Sequence, residues 1–222
     1  MRYPDLGVVV VAGGSSARYG KNKLLEMLGD APVLIHPLRN YAPVAGELVL
    51  VASAAYQAEY EKMLAQYLPG VPVTVTTGGD CRAESVRNGL AVLSRSIAYA
   101  AVADAARPLA SCRQLEKLYE FAIRHHCGVI SGRKIVDTVK RIDAAGRIIE
   151  NVPREGLFCA ETPQLFAVAE LKKALASAID ASVTDDAEAM RRAGFDVAVL
   201  ADEAANPKLT LPGDMDALKE LL

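Results

Sequence analysis

The chain has 222 residues, 51% apolar and 23% charged, enough to bury a core and too apolar to stay disordered. Its 25 basic and 27 acidic side chains leave a formal net charge of −2. That balance argues against a nucleic-acid binder, which carries a basic face, and leaves room for a small anionic ligand. Cys81, Cys112, Cys127 and Cys159 form no C-x-x-C pair, so free thiols and no structural metal are expected. The apolar run from Leu6 to Ala12 is too short to span a membrane or to act as a signal sequence, which points to the cytoplasm.

In chain order, Gly7–Ala12 (GVVVVA) reads as a strand buried on both faces of a parallel sheet. Directly after it comes Ala12 to Lys23, AGGSSARYGKNK, a glycine-rich loop carrying Arg18, Lys21 and Lys23. Successive backbone N–H groups of such a loop form an anion-binding concavity at the carboxyl end of a strand. Gly14 and Gly20 enclose five residues and Asn22 follows Lys21, so the loop is no Walker A motif; nor does it carry the dinucleotide fingerprint. A solvent-exposed turn with ordinary surface cations is the alternative.

Helical patterns follow at Val33–Tyr41 and Tyr56–Tyr67, with strands at Glu47–Ala52 and Val71–Thr76. Within the first helix, His36 has apolar neighbours and is expected to be a packed or surface residue. Thr77 to Leu90 (TGGDCRAESVRNGL) is a second glycine-bearing loop, opening a helix over Glu84–Ser94. Ser85 and Arg82 could cap that helix or serve a ligand. The strand Tyr99–Ala103 ends at Asp104, with Arg107 three residues on; this carboxylate could hold Mg2+ or form an ion pair. A helix over Gln114–His126 ends in His125 and His126, which point apart and are expected at the surface.

After a strand at Val129–Gly132 the alternation breaks. Asp137 to Val152 holds two polar-alternating runs around Asp143-Ala144-Ala145-Gly146, a hairpin with too little apolar surface to stand alone. A second subunit is the natural support for it. Glu161–Phe166 (ETPQLF) and Val183–Met190 (VTDDAEAM) read as helix entrances, the second with a D-x-x-E capping box. Helices are expected at Val168–Ala178, Ala187–Ala193 and Pro212–Leu222, and a last strand at Val197–Leu200. Asn206 to Asp214 (NPKLTLPGD) leads into the final helix. The whole reads as one α/β domain over 1–222, a Rossmann-like three-layer sandwich with a mostly parallel sheet and a protruding arm at about 137–152.

These segments, in this order, resemble the cytidylyltransferase family of the methylerythritol phosphate pathway of isoprenoid synthesis. The resemblance rests on AGGSSARYG…K at 12–23, GGDCRAESVRNGL at 78–90, DAARP at 104–108, DTVKR at 137–141, ETPQLF at 161–166, TDDA at 184–187 and NPKLTLPGD at 206–214. It implies in-line attack of an acceptor phosphate on the α-phosphorus of CTP, with Mg2+ and no covalent intermediate. Carried over by position, Arg18 and Lys23 would stabilise charge on the α-phosphate, while Arg154 and Lys208 would hold the phosphate of the acceptor. The nucleotide would lie against Ala12, Gly13, Gly14, Gly79, Asp80, Arg82, Ser85 and Ala105, with Asp104 beside the metal. Thr162 and Thr184 would lie near the acceptor, and a dimerisation arm would carry Thr138 and Arg107 towards the partner's site. The four cations are then expected to converge on one pocket. Another polyol phosphate such as ribitol 5-phosphate as acceptor, or a nucleotide-binding protein without catalysis, are the competing readings. A nicotinamide oxidoreductase shares the fold class but would need the missing fingerprint glycines.

Overall fold

The computed structural model describes residues 3–14, 18–177, 183–202 and 204–222. Strand β1 (Tyr3–Ala12) is followed by a short hairpin, β2 (Met27–Leu28) with β3 (Ala31–Pro32). Next come α1 (Ile35–Tyr41), β4 (Ala45–Ala52), α2 (Gln57–Tyr67), β5 (Val73–Thr77) and α3 (Arg82–Ala91). The chain continues through β6 (Tyr99–Asp104), α4 (Cys112–His125) and β7 (Gly128–Lys134) into an arm of β8 (Val139–Ile142) and β9 (Ile148–Val152). It returns as β10 (Phe158–Ala167), α5 (Val168–Ser177), α6 (Asp186–Arg192), β11 (Val197–Ala201) and α7 (Asp214–Leu221).

The central sheet has seven strands in the order β11-β7-β10-β6-β1-β4-β5, parallel except at β10, which pairs antiparallel with β6 and β7. Alternate residues feed two separate cores. Val8 and Val10 of β1, with Leu48 and Leu50 of β4, pack beneath α1, α2, α4 and α7. Val9, Val49 and Val51 face α3, α5 and α6 instead. Burial on both faces is why these strands read as continuous apolar runs, and it gives the three expected layers. The chain leaves β1 for β4 on one side and comes back to β6 on the other, so the carboxyl ends of β1 and β6 form a topological switch point, where open α/β sheets place their ligands.

The Asp137–Val152 hairpin is present as expected. Asp143 Oδ1 accepts from the N–H groups of Ala145 and Arg147, both at 2.9 Å, and Gly146 takes the left-handed conformation (φ 78°) that closes the turn. Its strands pair only with each other among the described residues, and Val136, Ile142, Ile148 and Ile149 are exposed.

Three expectations need correction or limits. Glu161–Phe166 is no helix entrance: it lies within β10, where Glu161, Thr162 and Gln164 are buried. A proline suited to a first helical turn is here set between two sheet neighbours, and the β10–β7 register shifts between Ala160 and Gln164 to admit it. The Thr162–Pro163 bond is cis. The last residue of the expected Val168–Ala178 helix, and Ser15, Ser16 and Ala17 of the first glycine-rich loop, lie outside the described residues. His36 is buried with Nε2 against the carbonyls of Leu28 (2.8 Å) and Ala31 (3.2 Å), whereas His125 and His126 are exposed as expected.

Gly89 seats α3 on the sheet. A Cβ there would stand 2.4 Å from Val9 Cγ1 and 2.8 Å from Val51 Cγ2. Both neighbours are branched core side chains with no room to retreat. Gly89→Ala should therefore destabilise the fold by about 1–3 kcal/mol through overpacking, despite alanine's better helix propensity, and a lower melting temperature would register it.

Candidate active site

Four segments meet over the carboxyl ends of β1 and β6 around a cavity of about 550 Å³. Its lining includes Ala12, Gly13, Gly14, Arg18 and Lys23 from the first loop, and Gly79, Asp80, Arg82 and Ser85 from the second. Asp104 ends β6 and Ala105 follows it, and Lys208 with Thr210 come from the stretch before α7.

The second loop is held open by its own helix. Ser85 Oγ accepts the Gly79 N–H (3.2 Å) and donates to the Cys81 carbonyl (3.0 Å), while the Glu84 carboxylate accepts the Asp80 N–H (2.8 Å). A Cβ on Gly79 would come within 2.4 Å of Glu84 Cβ, so the turn can be this tight only with glycine there. The helix cap is Cys81, whose Sγ accepts the Glu84 N–H at 3.5 Å, and not Ser85 or Arg82. Arg82 instead donates to the Asp186 carboxylate at 2.7 Å, which ties α3 to the start of α6. Asp186 is 1% exposed, and burial pushes its pKa up even with Arg82 beside it. The neighbouring Asp185 caps α6 by accepting the Glu188 N–H (2.9 Å), the first half of the expected capping box, while the Glu188 carboxylate accepts from Arg191 and Arg192.

Asp104 is the meeting point of the cavity. Its N–H donates to Thr162 Oγ1 (3.0 Å), and its Oδ2 lies 2.7 Å from Lys208 Nζ and 3.7 Å from Arg107 Nε. Burial opposes the charge, but Lys208, Arg82 and Arg107 together hold the Asp104 carboxyl below the usual carboxylate range. Lys23 reaches the same place from the other end of the chain and donates to the Leu209 carbonyl at 2.5 Å. Burial, then Lys208 and Arg18, lower the Lys23 pKa.

The lining cations are Arg18, Lys23, Arg82 and Lys208, against the carboxylates Asp80 and Asp104. That excess suits a polyanion such as a triphosphate, whose charges would relieve the repulsion among the cations. Asp104 is thus ion-paired with Lys208 and Arg107.

Several expected site residues lie elsewhere. Arg154 is on the arm, donating to the Val136 carbonyl, and does not line the cavity with Arg18, Lys23 and Lys208. Within one chain, three of the four cations expected to converge therefore line the cavity, and Arg154 lies at the base of the arm. Thr138 is exposed on the same arm, and Thr184 is exposed before α6. Thr162 and Arg107 form the buried layer behind Asp104, not the cavity wall. Arg107 donates to the Asn206 carbonyl (2.5 Å), and Asn206 Nδ2 donates to the Thr162 carbonyl (2.9 Å). Cys81, Thr210 and the Arg82 partner Asp186 were missed; only the Asp185-Asp186 doublet hinted that one acid would be left over once the other had capped the helix.

The depressed Asp104 pKa fixes a sign. A carboxyl whose folded pKa lies below its unfolded value of about 3.9 adds stability above that pH and loses it as pH falls through the folded pKa. Thermal unfolding between pH 2 and 6 should therefore fall less steeply towards acid in Asp104→Asn than in the parent chain. Parallel acid limbs would exclude the assignment.

The match to the family model described as 2-C-methyl-D-erythritol 4-phosphate cytidylyltransferase covers residues 6–222. A curated protein of that name from Chromobacterium violaceum is 35% identical over 96% of this chain and 96% of its own length. The bifunctional enzyme IspD/IspF of Rhizobium leguminosarum is 33% identical over 94% of this chain, which spans only 54% of that longer protein. The crystal structure of 2-C-methyl-D-erythritol 4-phosphate cytidylyltransferase from Thermus thermophilus superposes with a TM-score of 0.78 at 26% identity, covering 97% of each chain. By sequence and fold, then, this chain belongs to the 2-C-methyl-D-erythritol 4-phosphate cytidylyltransferase family.

Proposed function

We propose that the chain transfers CMP from CTP to 2-C-methyl-D-erythritol 4-phosphate and releases pyrophosphate. One observation carries this reading: a chain matched to the family along 6–222 gathers Arg18, Lys23 and Lys208 around Asp104 in a single cavity. An oxygen of the acceptor phosphate forms a bond to the α-phosphorus as the bond from that phosphorus to the bridging oxygen breaks. The electron pair leaves with pyrophosphate. Little proton transfer is needed, so the work is positioning and offsetting charge on the α-phosphate, here by Arg18 and Lys23. Lys208, from the far end of the chain, is assigned the phosphate of the acceptor.

Mg2+ fits the donor set with one restriction. No group of three or more His, Cys, Asp or Glu side chains converges among the described residues, so a metal would rely on Asp104 and on phosphate oxygens. That is the ligation magnesium prefers, and when bound it would supply charge neutralisation at the phosphates. The arm is proposed to pair two copies of the chain. This would cover its exposed Val136, Ile142, Ile148 and Ile149 and bring Thr138 and Arg154 to a neighbouring cavity.

Pyrophosphate release from CTP, with methylerythritol phosphate and ribitol 5-phosphate offered separately, tests the substrate; preference for ribitol phosphate would overturn it. Lys23→Ala should lower kcat by about 10²–10³-fold, the loss usual for one transition-state donor. An effect confined to the KM for CTP would contradict that role. Arg154→Ala should raise the KM for the acceptor by roughly tenfold, as loss of one charge-assisted hydrogen bond does, and leave the KM for CTP in place.

A further inference from the structure

Lys23 occupies unfavourable ground. It is part-buried, faces the like charges of Lys208 and Arg18, and has Asp104 and Asp214 as its opposing partners. A lysine so placed gains solvation and sheds repulsion by swinging outward, and its flexible stem allows it. Its ammonium is held by the Leu209 carbonyl at 2.5 Å, and that bond keeps its geometry only while the backbone of Lys23 stays in place.

The turn that carries it, the 3-10 turn Lys23–Leu25, is short, and its closing bonds are long: Leu25 N–H to Asn22 carbonyl and Glu26 N–H to Lys23 carbonyl, both 3.3 Å. Asn22 reinforces it in two directions. Its Oδ1 caps the turn by accepting the Leu24 N–H (3.1 Å), and its Nδ2 donates to the Tyr60 hydroxyl (2.9 Å). Tyr60 is 1% exposed, rooted in α2 and stacked on Tyr56 at 6.0 Å between ring centres. The end of the phosphate loop is thereby tied to a helix of the core.

We propose that Asn22 and the Tyr60 hydroxyl act as a strut, positioning residues that hold the Lys23 turn so that its ammonium stays in the cavity against repulsion. The proposal rests on the reading of Lys23 as a stabiliser of the α-phosphate. Tyr60→Phe removes one oxygen and leaves the ring and its packing, so it isolates the bond from the fold. Asn22→Ala removes the cap as well.

Each variant should lower kcat by about tenfold with the KM for CTP within threefold, since a cation that wanders costs transition-state contact more than ground-state binding. The double variant should be little slower than Asn22→Ala alone, because both changes cut one bond. Titration of the 13C-methylated lysines by NMR, with the Lys23 signal assigned through Lys23→Arg, should show the Lys23 pKa moving up towards the ordinary lysine value in Tyr60→Phe. Turnover within twofold of the parent and an unmoved Lys23 titration in Tyr60→Phe would overturn the strut, as would multiplicative losses in the double variant. A parent chain that does not turn over CTP would refute the functional reading instead, and the titration would still decide the strut.

Discussion

The contact between Lys208 and Asp104 is what the site is built upon. It joins the end of β6, the strand beside β1 at the switch point, to the stretch that precedes the last helix. A carboxylate this enclosed needs opposite charge, and it receives it from two directions: Lys208 from the cavity and Arg107 from behind. Arg107 is in turn held by Asn206, and Asn206 by Thr162, which also fixes the Asp104 backbone. The polar bulge of β10 thus serves as the rear wall of the site, and its residues matter without touching the cavity.

In front of that wall the chain accepts an electrostatic cost. Burial depresses the Lys23 pKa, and Lys208 and Arg18 stand close enough to depress it further. Such a cluster opposes folding slightly and favours a polyanion strongly, the usual exchange of stability for preorganisation at a binding site. Arg82 is paired with Asp186, a carboxylate outside the cavity lining, whereas the partner of Lys208 is Asp104 within it. The part of Arg82 is to tie α3 to the start of α6 more than to offer free charge.

The fold was legible where one rule governed. Valine runs buried on both faces, the Asp143–Gly146 turn and the Asp185 cap each follow from local chemistry, and each lies where the sequence placed it. Glu161–Phe166 was misread because proline and threonine suit a helix start as well as they suit a strand bulge, and only the flanking β6 and β7 decide between them. Glycines and cations at 12–23 and 78–85 identified the cavity; which charge pairs with which could not be read. Asp186 with Arg82, and Lys208 with Asp104, are partners brought together by topology, and no spacing rule reaches so far. Arg154 illustrates the converse: the resemblance fixed a role for it, but a single chain leaves it on the arm.

The sheet order also dictates when the site can exist. Strand β1 has neighbours on both sides, β4 soon after it and β6 some ninety residues later, so its pairing is dominated by contacts distant in sequence. Such topologies pay loop-closure entropy before they gain contacts, and they fold slowly compared with helical bundles. The β8–β9 hairpin, by contrast, needs only its own residues to form its ladder. On a ribosome, where the chain emerges from its amino end, the phosphate loop would be made first and wait for its counterpart. Asp104 gains its lysine only when the stretch at 206–210 arrives, which makes charge closure over the cavity one of the last events of folding.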